Sequence, residues 1–204
     1  AKHEKLLFAC ANAGGSWTVS DAYSLGPVLG PQDDYFLAEG SHLRLYVKLG
    51  AHPMVHEGVQ GVHFAVWAPN AERVSVIGDF NDWDGRRHVM RKRLGVGVWE
   101  IFVPGAVIGQ AYKYELLGPG GKLLPLKADP FGFASELRPK TASRVAVTDN
   151  FKWTDGAYLA ARGARDQRRS PMTTYEVHLG SWKRKDGNSF LSYADLAEDL
   201  VGYV

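Results

Sequence analysis

Short runs of alternating apolar and polar residues, separated by turns, dominate the middle of this sequence. They are VHFAVWAP, RVSVIGDF, VWEIFVPG, AYKYELLG and SRVAV, all within positions 61–150. The segments PNA (69–71) and PGG (119–121) are typical of turns between strands. Strands at this spacing predict a mainly β fold, an immunoglobulin-like antiparallel β-sandwich. The residues expected to fill much of its inward faces are Val98, Ile101, Val103, Tyr112 and Tyr114.

The rest of the sequence is divided around this sandwich. Residues 1–30, with the strand patterns KLLFACA and SWTVSDA, are interpreted as the tail of a preceding β module. The Gly- and Pro-rich residues 31–60 are interpreted as a linker, residues 61–150 as the sandwich, and the basic residues 151–171 as a second linker.

A different pattern follows in residues 172–204. TTYEVHLG predicts a short strand, and SYADLAEDLVGYV predicts a helix with Ser192 as N-cap and Asp195 at its third position. A strand followed by a helix is how a (β/α)8 barrel begins. We therefore expect the first βα unit of a truncated barrel, with both ends of the sequence resembling cuts through a longer protein.

Composition limits the partners and the location. With 24 basic and 22 acidic residues the net charge is +2, which gives no surplus positive field, so nucleic acid is not an expected partner. No apolar run approaches the roughly 20 residues that cross a bilayer, so no membrane partner is expected. Cys10 is the single cysteine and the first residues lack a secretion-signal pattern, which favours a cytoplasmic location.

The sequence contains no self-contained catalytic set. The common motifs of serine hydrolases, phosphate-binding loops and zinc proteases are absent, and no Asp/Glu pair is forced together as acid and nucleophile. His52 and His56 have the spacing of a helical metal site, but Pro53 lies between them and no cysteine is near. We therefore expect no metal site, no cofactor and no catalytic residue in this chain.

The loop NDWDG is the best candidate for ligand binding. Sugar rings offer C–H groups on one face and hydroxyls at the rim, which suits an exposed aromatic ring flanked by hydrogen-bonding side chains. Trp83, with Asn81, Asp82 and Asp84 around it, meets this requirement. The alternative is a partly buried tryptophan that packs against the end of the sandwich.

Several segments together resemble bacterial glycogen branching enzymes, over roughly residues 21–204. GVHFAVWAPNAERVSVIGDFNDWDGRRHVMR alone resembles any family 48 carbohydrate-binding module, and ADPFGF and LRPKTAS accompany it. EGSHLRLYVKLGAHP before the module and YEVHLGSWKR after it narrow the resemblance to branching enzymes. Two alternatives remain open: a stand-alone glucan-binding module, and the module of a debranching or trehalose-releasing hydrolase.

The resemblance implies a parent enzyme that transfers α-1,4-glucan chains to 6-hydroxyls and forms α-1,6 branches. Its chemistry is a retaining transglycosylation with an aspartate nucleophile and a glutamate acid/base. No position here matches those motifs, so this chain is expected to be inactive without the missing C-terminal catalytic barrel. The module would either bind glucan or position that barrel.

The resemblance also implies site residues for α-1,4-glucan, as glycogen or malto-oligosaccharides. Trp83 matches the aromatic platform of the module family and Lys113 matches its strand lysine. From alternation alone, Lys113 lies outside the core and is equally an ordinary solvated lysine. A second platform tryptophan found in some members is absent, because Leu123 and Leu124 occupy that region.

Overall fold

The computed structural model describes residues 6–148 and 151–204, which fall into two compact units, Ala1–Phe151 and Lys152–Val204. The strands are β1 (Leu7–Asn12), β2 (Gly15–Ser20), β3 (Gly50–His56), β4 (Val59–Trp67), β5 (Arg73–Gly78), β6 (Arg91–Arg93), β7 (Val98–Pro104), β8 (Ala111–Gly118), β9 (Lys122–Leu123), β10 (Ala134–Ser135) and β11 (Ser143–Arg144). The helices are α1 (Pro31–Glu39), α2 (Gly156–Ala164), α3 (Leu179–Trp182) and α4 (Tyr193–Tyr203). Single 3-10 turns lie at Ala22–Ser24, Leu45–Val47, Pro119–Gly121 and Asp186–Asn188.

Two antiparallel sheets form the sandwich in the first unit. One has the order β3-β4-β7-β6, and the other has the order β10-β11-β8-β5 with β9 paired to β8. Side chains from both sheets share one hydrophobic core. The mainly β, antiparallel sandwich predicted from the sequence is therefore confirmed.

Alternation along each strand decides which residues enter that core. Most of its members come from β4, β5, β7 and β8: Val62, Phe64, Val66, Val74, Val76, Trp99, Ile101, Val103, Tyr112 and Tyr114. Val98, expected among them, is buried on the opposite face of β7, in a second cluster. The parity of the strand requires this, since Val98 is an odd number of residues from Ile101 and Val103.

The second cluster lies where residues 25–49 cover the outer face of the β3-β4-β7-β6 sheet. It contains Leu29, Leu49, Ala65, Val96 and Val98, with Leu37, Leu45 and Phe131 packed against it. Residues 31–60, interpreted as a linker, thus hold helix α1 and strand β3 and are part of the packed unit. Pro53 hides the strand pattern in the sequence, and the structure accommodates it because β3 is an edge strand.

Glu100 on β7 binds residues 25–49, the covering segment, to the sheet. Its Oε2 accepts from the backbone N–H groups of Val28 (2.9 Å) and Leu29 (3.1 Å) and from His63 Nε2 (3.0 Å), and its Oε1 accepts from Arg93 (2.8 Å). Burial alone would raise the pKa of Glu100, but the hydrogen bonds from His63 and Leu29 bring it below its usual value. Burial lowers the pKa of His63, so this pair is a carboxylate and a neutral imidazole that donates its Nε2–H.

A two-stranded hairpin precedes the sandwich in the first unit. Its strands β1 and β2 pair from Leu7 opposite Ser20 to Asn12 opposite Gly15, which confirms the pair of strands predicted there. Several large apolar side chains on this hairpin are exposed: Leu7, Phe8, Trp17 and Val19.

The second unit is helical. Helix α4 begins with Ser192 as N-cap, whose Oγ accepts from the N–H of Asp195 at 3.2 Å, so the predicted helix and its cap are confirmed. TTYEVHLG, predicted as the first barrel strand, forms no strand, and its last residues begin helix α3. A barrel strand is held by hydrogen bonds to its neighbours, which the described residues do not provide. Across residues 6–148 and 151–204, no helix has both the length and the apolar character that a membrane crossing requires.

Candidate functional site

A tight turn follows strand β5 and presents Trp83. The backbone N–H groups of Asn81 and Trp83 both donate to the carbonyl of Gly78, each at 3.1 Å. Asp82 and Trp83 have φ values of 57° and 59°, in the left-handed region that bulky residues rarely adopt. Such residues cost on the order of 1–3 kcal/mol each and persist only where surrounding contacts fix them. The turn is therefore a strained segment that holds an aromatic side chain 38% exposed.

Asp79 fixes one edge of the Trp83 indole. The indole Nε1 donates to Asp79 Oδ1 at 3.2 Å, while Asp79 Oδ2 accepts from the N–H of Ala111 at 2.7 Å. The backbone N–H of Asp79 also donates to the carbonyl of Ala111 at 3.0 Å. The indole is thereby tied to the first residue of β8. Sequence reasoning missed Asp79, although it lies four residues before Trp83 in the same loop.

Asn81 lies beneath the turn and not at its surface. It is only 2% exposed, its Oδ1 accepts from the N–H of Gly78 (2.9 Å), and its Nδ2 donates to the carbonyl of Val76 (2.9 Å). Nδ2 is also 2.9 Å from His88 Nδ1. The expectation that Asn81 flanks the tryptophan at the surface is therefore wrong. The Asn81 side-chain amide holds the turn in place. The sequence pattern of the loop does not show whether an asparagine is buried in this way or exposed.

Asp82 and Asp84 place charge around the tryptophan. Asp82 Oδ2 pairs with Arg87 at 2.7 Å on the exposed side of the loop. Asp84 accepts from the Arg86 side chain at 2.8 and 2.9 Å and from its backbone N–H at 3.0 Å. The side-chain and backbone hydrogen bonds of Arg86 hold the pKa of Asp84 well below its usual range. The loop that carries Trp83 therefore also contains the ion pairs Asp82–Arg87 and Asp84–Arg86.

Lys113 lies at the same end of the sheet as the turn. It is paired across β5 and β8 with Ile77, the residue before Gly78, where the turn begins. Its side chain is outside the core, as alternation predicted, and its Nζ donates to Thr141 Oγ1 at 2.6 Å. Thr141 is distant in sequence, and the sequence carried no signal for this contact.

The loop that carries Trp83 rests directly on the outer face of β5 and β8. A Cβ atom at the buried Gly85 would lie 2.3 Å from Glu115 Oε1, and Glu115 in turn pairs with Arg73. The end of the loop returns along β5, where Val89 bridges Ser75. The loop is thus anchored at both ends and at its middle.

No metal site accompanies this loop. Within the described part of the chain, no three side chains of His, Cys, Asp or Glu lie together in a way that could hold a metal ion. His52 and His56 lie on strand β3, where their Nε2 atoms are 3.0 Å from the carbonyl oxygens of Leu49 and Gly26.

Comparisons with known proteins agree with this architecture. Residues 48–132 match the family model described as carbohydrate-binding module 48 (isoamylase N-terminal domain), a range that includes Trp83 and Lys113. The chain is 59% identical over 203 residues to the 1,4-alpha-glucan branching enzyme GlgB of Mesorhizobium japonicum, covering 100% of this chain and 28% of that protein. It is 56% identical to the enzyme of the same name from Rhizobium meliloti, covering 99% of this chain and 27% of that protein.

The likeness to solved structures is weaker. Klebsiella pneumoniae pullulanase in complex with maltotriose aligns with a TM-score of 0.38 and 23% identity, over 49% of this chain and 10% of that one.

This chain spans about a quarter of the length of the two curated branching enzymes that it matches, namely 28% and 27%. Residues 48–132 are thus similar to carbohydrate-binding module 48, within a chain similar along its whole length to the N-terminal part of 1,4-alpha-glucan branching enzymes.

Proposed function

We propose that this chain is the glucan-handling N-terminal part of a 1,4-α-glucan branching enzyme. The whole protein would transfer α-1,4-glucan chains to 6-hydroxyls and form α-1,6 branches, with catalysis carried by a barrel outside this sequence. The support is the identity of 59% to the Mesorhizobium japonicum branching enzyme, which extends over the whole chain. A cytoplasmic location, favoured by the single cysteine, belongs to the same proposal.

In this proposal the first unit binds α-1,4-glucan through the face of Trp83. The observation that carries it is the left-handed backbone of Asp82 and Trp83. This backbone holds the indole, which is hydrogen-bonded to Asp79, in a partly exposed position. Strain of this kind is concentrated at functional sites. The ring would take the C–H face of a glucose unit, and the Lys113 ammonium and the Asp82 carboxylate would bond hydroxyls at the rim. Asn81 would act by fixing the turn.

Calorimetric titration with maltoheptaose tests the role of Trp83. We expect Trp83→Ala to raise the Kd of the 204-residue chain at least about tenfold, which corresponds to about 1.4 kcal/mol. Trp17→Ala is the matched control, because it removes an indole that is 48% exposed on the β1–β2 hairpin. We expect the control to bind like the parent chain.

Circular dichroism must show that each variant is folded. Equal affinity of the parent chain and Trp83→Ala would contradict the assignment of the platform. Absence of binding by every folded form would reject glucan binding by this unit and favour the alternative that it positions the catalytic barrel.

The reaction of the whole protein is tested separately, on the full-length natural enzyme with amylose as substrate. We expect new α-1,6 linkages in the product, measured by proton NMR, without a matching increase in reducing ends. Loss of α-1,6 linkages from a branched substrate would instead identify a debranching hydrolase.

A further inference from the structure

The amide of Asn81 has an orientation that two backbone groups determine. Oδ1 accepts from the Gly78 N–H and Nδ2 donates to the Val76 carbonyl, both at 2.9 Å. Reversing the amide would set an oxygen against the Val76 oxygen and an NH₂ group against the Gly78 N–H. Both bonds would be lost, so the network assigns the amide unambiguously.

This orientation fixes the protonation of His88. Because Nδ2 is a donor, the His88 Nδ1 atom 2.9 Å away must be an acceptor and carries no proton. A neutral imidazole in this state has its proton on Nε2. A doubly protonated ring has N–H groups on both nitrogens, so the amide would lose its partner and face a second donor.

The surroundings of His88 favour the neutral ring. The imidazole is half-buried and packs edge-on against Phe80, with ring centroids 5.9 Å apart, and β5 presents the uncharged Val76. Burial first, and the charge of Arg87 second, lower the pKa of His88 below its usual value. Of the carboxylates in this loop, Asp82 and Asp84 both pair with Arg87, and Asp79 accepts from the Trp83 indole and the Ala111 N–H.

We propose that neutral His88 is a positioning residue for the Trp83 turn, and that its protonation releases the turn and weakens glucan binding. This inference rests on the proposed glucan binding at Trp83. The coupling runs through Asn81, which binds Gly78, the residue whose carbonyl accepts from the N–H of Trp83. The left-handed backbone of the turn is retained only while such contacts hold it.

The direction of the pH effect follows from linkage. We call the turn closed while Asn81 keeps its contacts, and open when they are lost. Because the pKa of His88 is lowered in the closed turn, His88 takes up a proton more readily when the turn opens. The closed turn is therefore fully favoured above about pH 6.5, the ordinary histidine value, and is lost as pH falls through the lowered pKa. Glucan affinity should weaken on the acidic side and stay constant above neutrality.

Two variants of His88 test this proposal. The Kd for maltoheptaose is measured by calorimetry at about pH 5 and pH 7.5, which lie on either side of the usual histidine pKa. His88→Asn places a side-chain oxygen near the position of Nδ1 and cannot titrate, so its Kd should change less than about twofold between the two pH values. The parent Kd should rise severalfold at the lower pH. His88→Phe has no acceptor and should bind weakly at both. A parent pH dependence that His88→Asn retains in full would overturn the proposal.

An NMR titration without sugar separates this proposal from the proposed function. We expect the His88 imidazole to titrate from the Nε2–H tautomer, and the Trp83 indole N–H signal to shift with the same midpoint. That shift should disappear in His88→Asn. An Nδ1–H tautomer, or a Trp83 signal that does not follow His88, would overturn the positioning role. If the coupling is seen but no form binds maltoheptaose at any pH, glucan binding and its regulation are rejected while the positioning role stands.

Discussion

Gly85 is a point of close contact between the Trp83 loop and the sheet beneath it. Its missing side chain makes room for the Glu115 carboxylate, since a Cβ atom would lie 2.3 Å from Oε1 and 2.5 Å from the carboxyl carbon. Glu115 is also paired with Arg73, so it is not free to move aside without breaking that pair. A side chain at position 85 must therefore displace either the loop or this ion pair.

We expect Gly85→Ala to weaken maltoheptaose binding about tenfold, because the displaced loop carries the platform, and to lower the free energy of unfolding by about 1–3 kcal/mol through overpacking. Urea denaturation and calorimetry measure the two effects. Gly163→Ala is the control, because a Cβ atom there meets nothing within 4 Å. Unchanged affinity and stability in Gly85→Ala would contradict the packing of the loop.

At single residues, the sequence predicted positions on strands better than positions in the loop. Lys113 lies outside the core, as the two-residue period of a strand requires. Asn81 could not be placed in this way, because a loop has no period and the direction of its side chain depends on Gly78, Val76 and His88. Contacts made across long sequence separations, such as Lys113 with Thr141, have no local signal.

Among the elements, strand β7 has a second role besides filling the core. Its Glu100 binds the backbone of the covering segment at Val28 and Leu29, and Arg93 joins Glu100 to Asp34 on helix α1. A buried carboxylate that loses its charge leaves its partners only partly satisfied. One ionised side chain thus contributes to the attachment of residues 25–49 to the sheet, beside the packing of the second cluster.

We expect Glu100→Gln to lower the free energy of unfolding by about 3 kcal/mol, and to speed hydrogen exchange at the amides of Val28 and Leu29. Since the pKa of Glu100 is lowered in the fold, its contribution is present above about pH 4.3 and is lost as pH falls below that. The variant should therefore lose less stability on acidification than the parent chain.

The control for Glu100→Gln is Glu39→Gln, which alters an exposed residue at the end of helix α1. Its stability should lie within about 0.5 kcal/mol of the parent. If Glu100→Gln were as stable as this control, the covering segment would not depend on the buried charge.

The elements predicted correctly from the sequence are those whose residue pattern lies within the element itself. Strands β4, β5, β7 and β8 alternate between turns, and helix α4 carries its own cap. Strand β3 was missed because its pairing with β4, and not its composition, makes it a strand. TTYEVHLG was wrongly predicted as a strand for the converse reason: a strand pattern forms a strand only where a neighbour supplies hydrogen bonds.

On the scale of the whole molecule, the proposed binding machinery lies within one unit. The turn at Trp83, the residues Asp79 and Asn81 that hold it, and Lys113 all belong to Ala1–Phe151. The second unit, Lys152–Val204, contributes none of these residues. We therefore place the proposed α-1,4-glucan site at the Trp83 end of the sandwich.

The most direct test is a proton–nitrogen NMR titration of the whole 204-residue chain with maltoheptaose. We expect the largest shift changes at the Trp83 indole N–H and at the amides of Asp79, Asp82 and Lys113, with the signals of Lys152–Val204 unchanged. Saturable binding whose largest changes fall instead on the β1–β2 hairpin or on the second unit, or no change at any signal, would contradict the account.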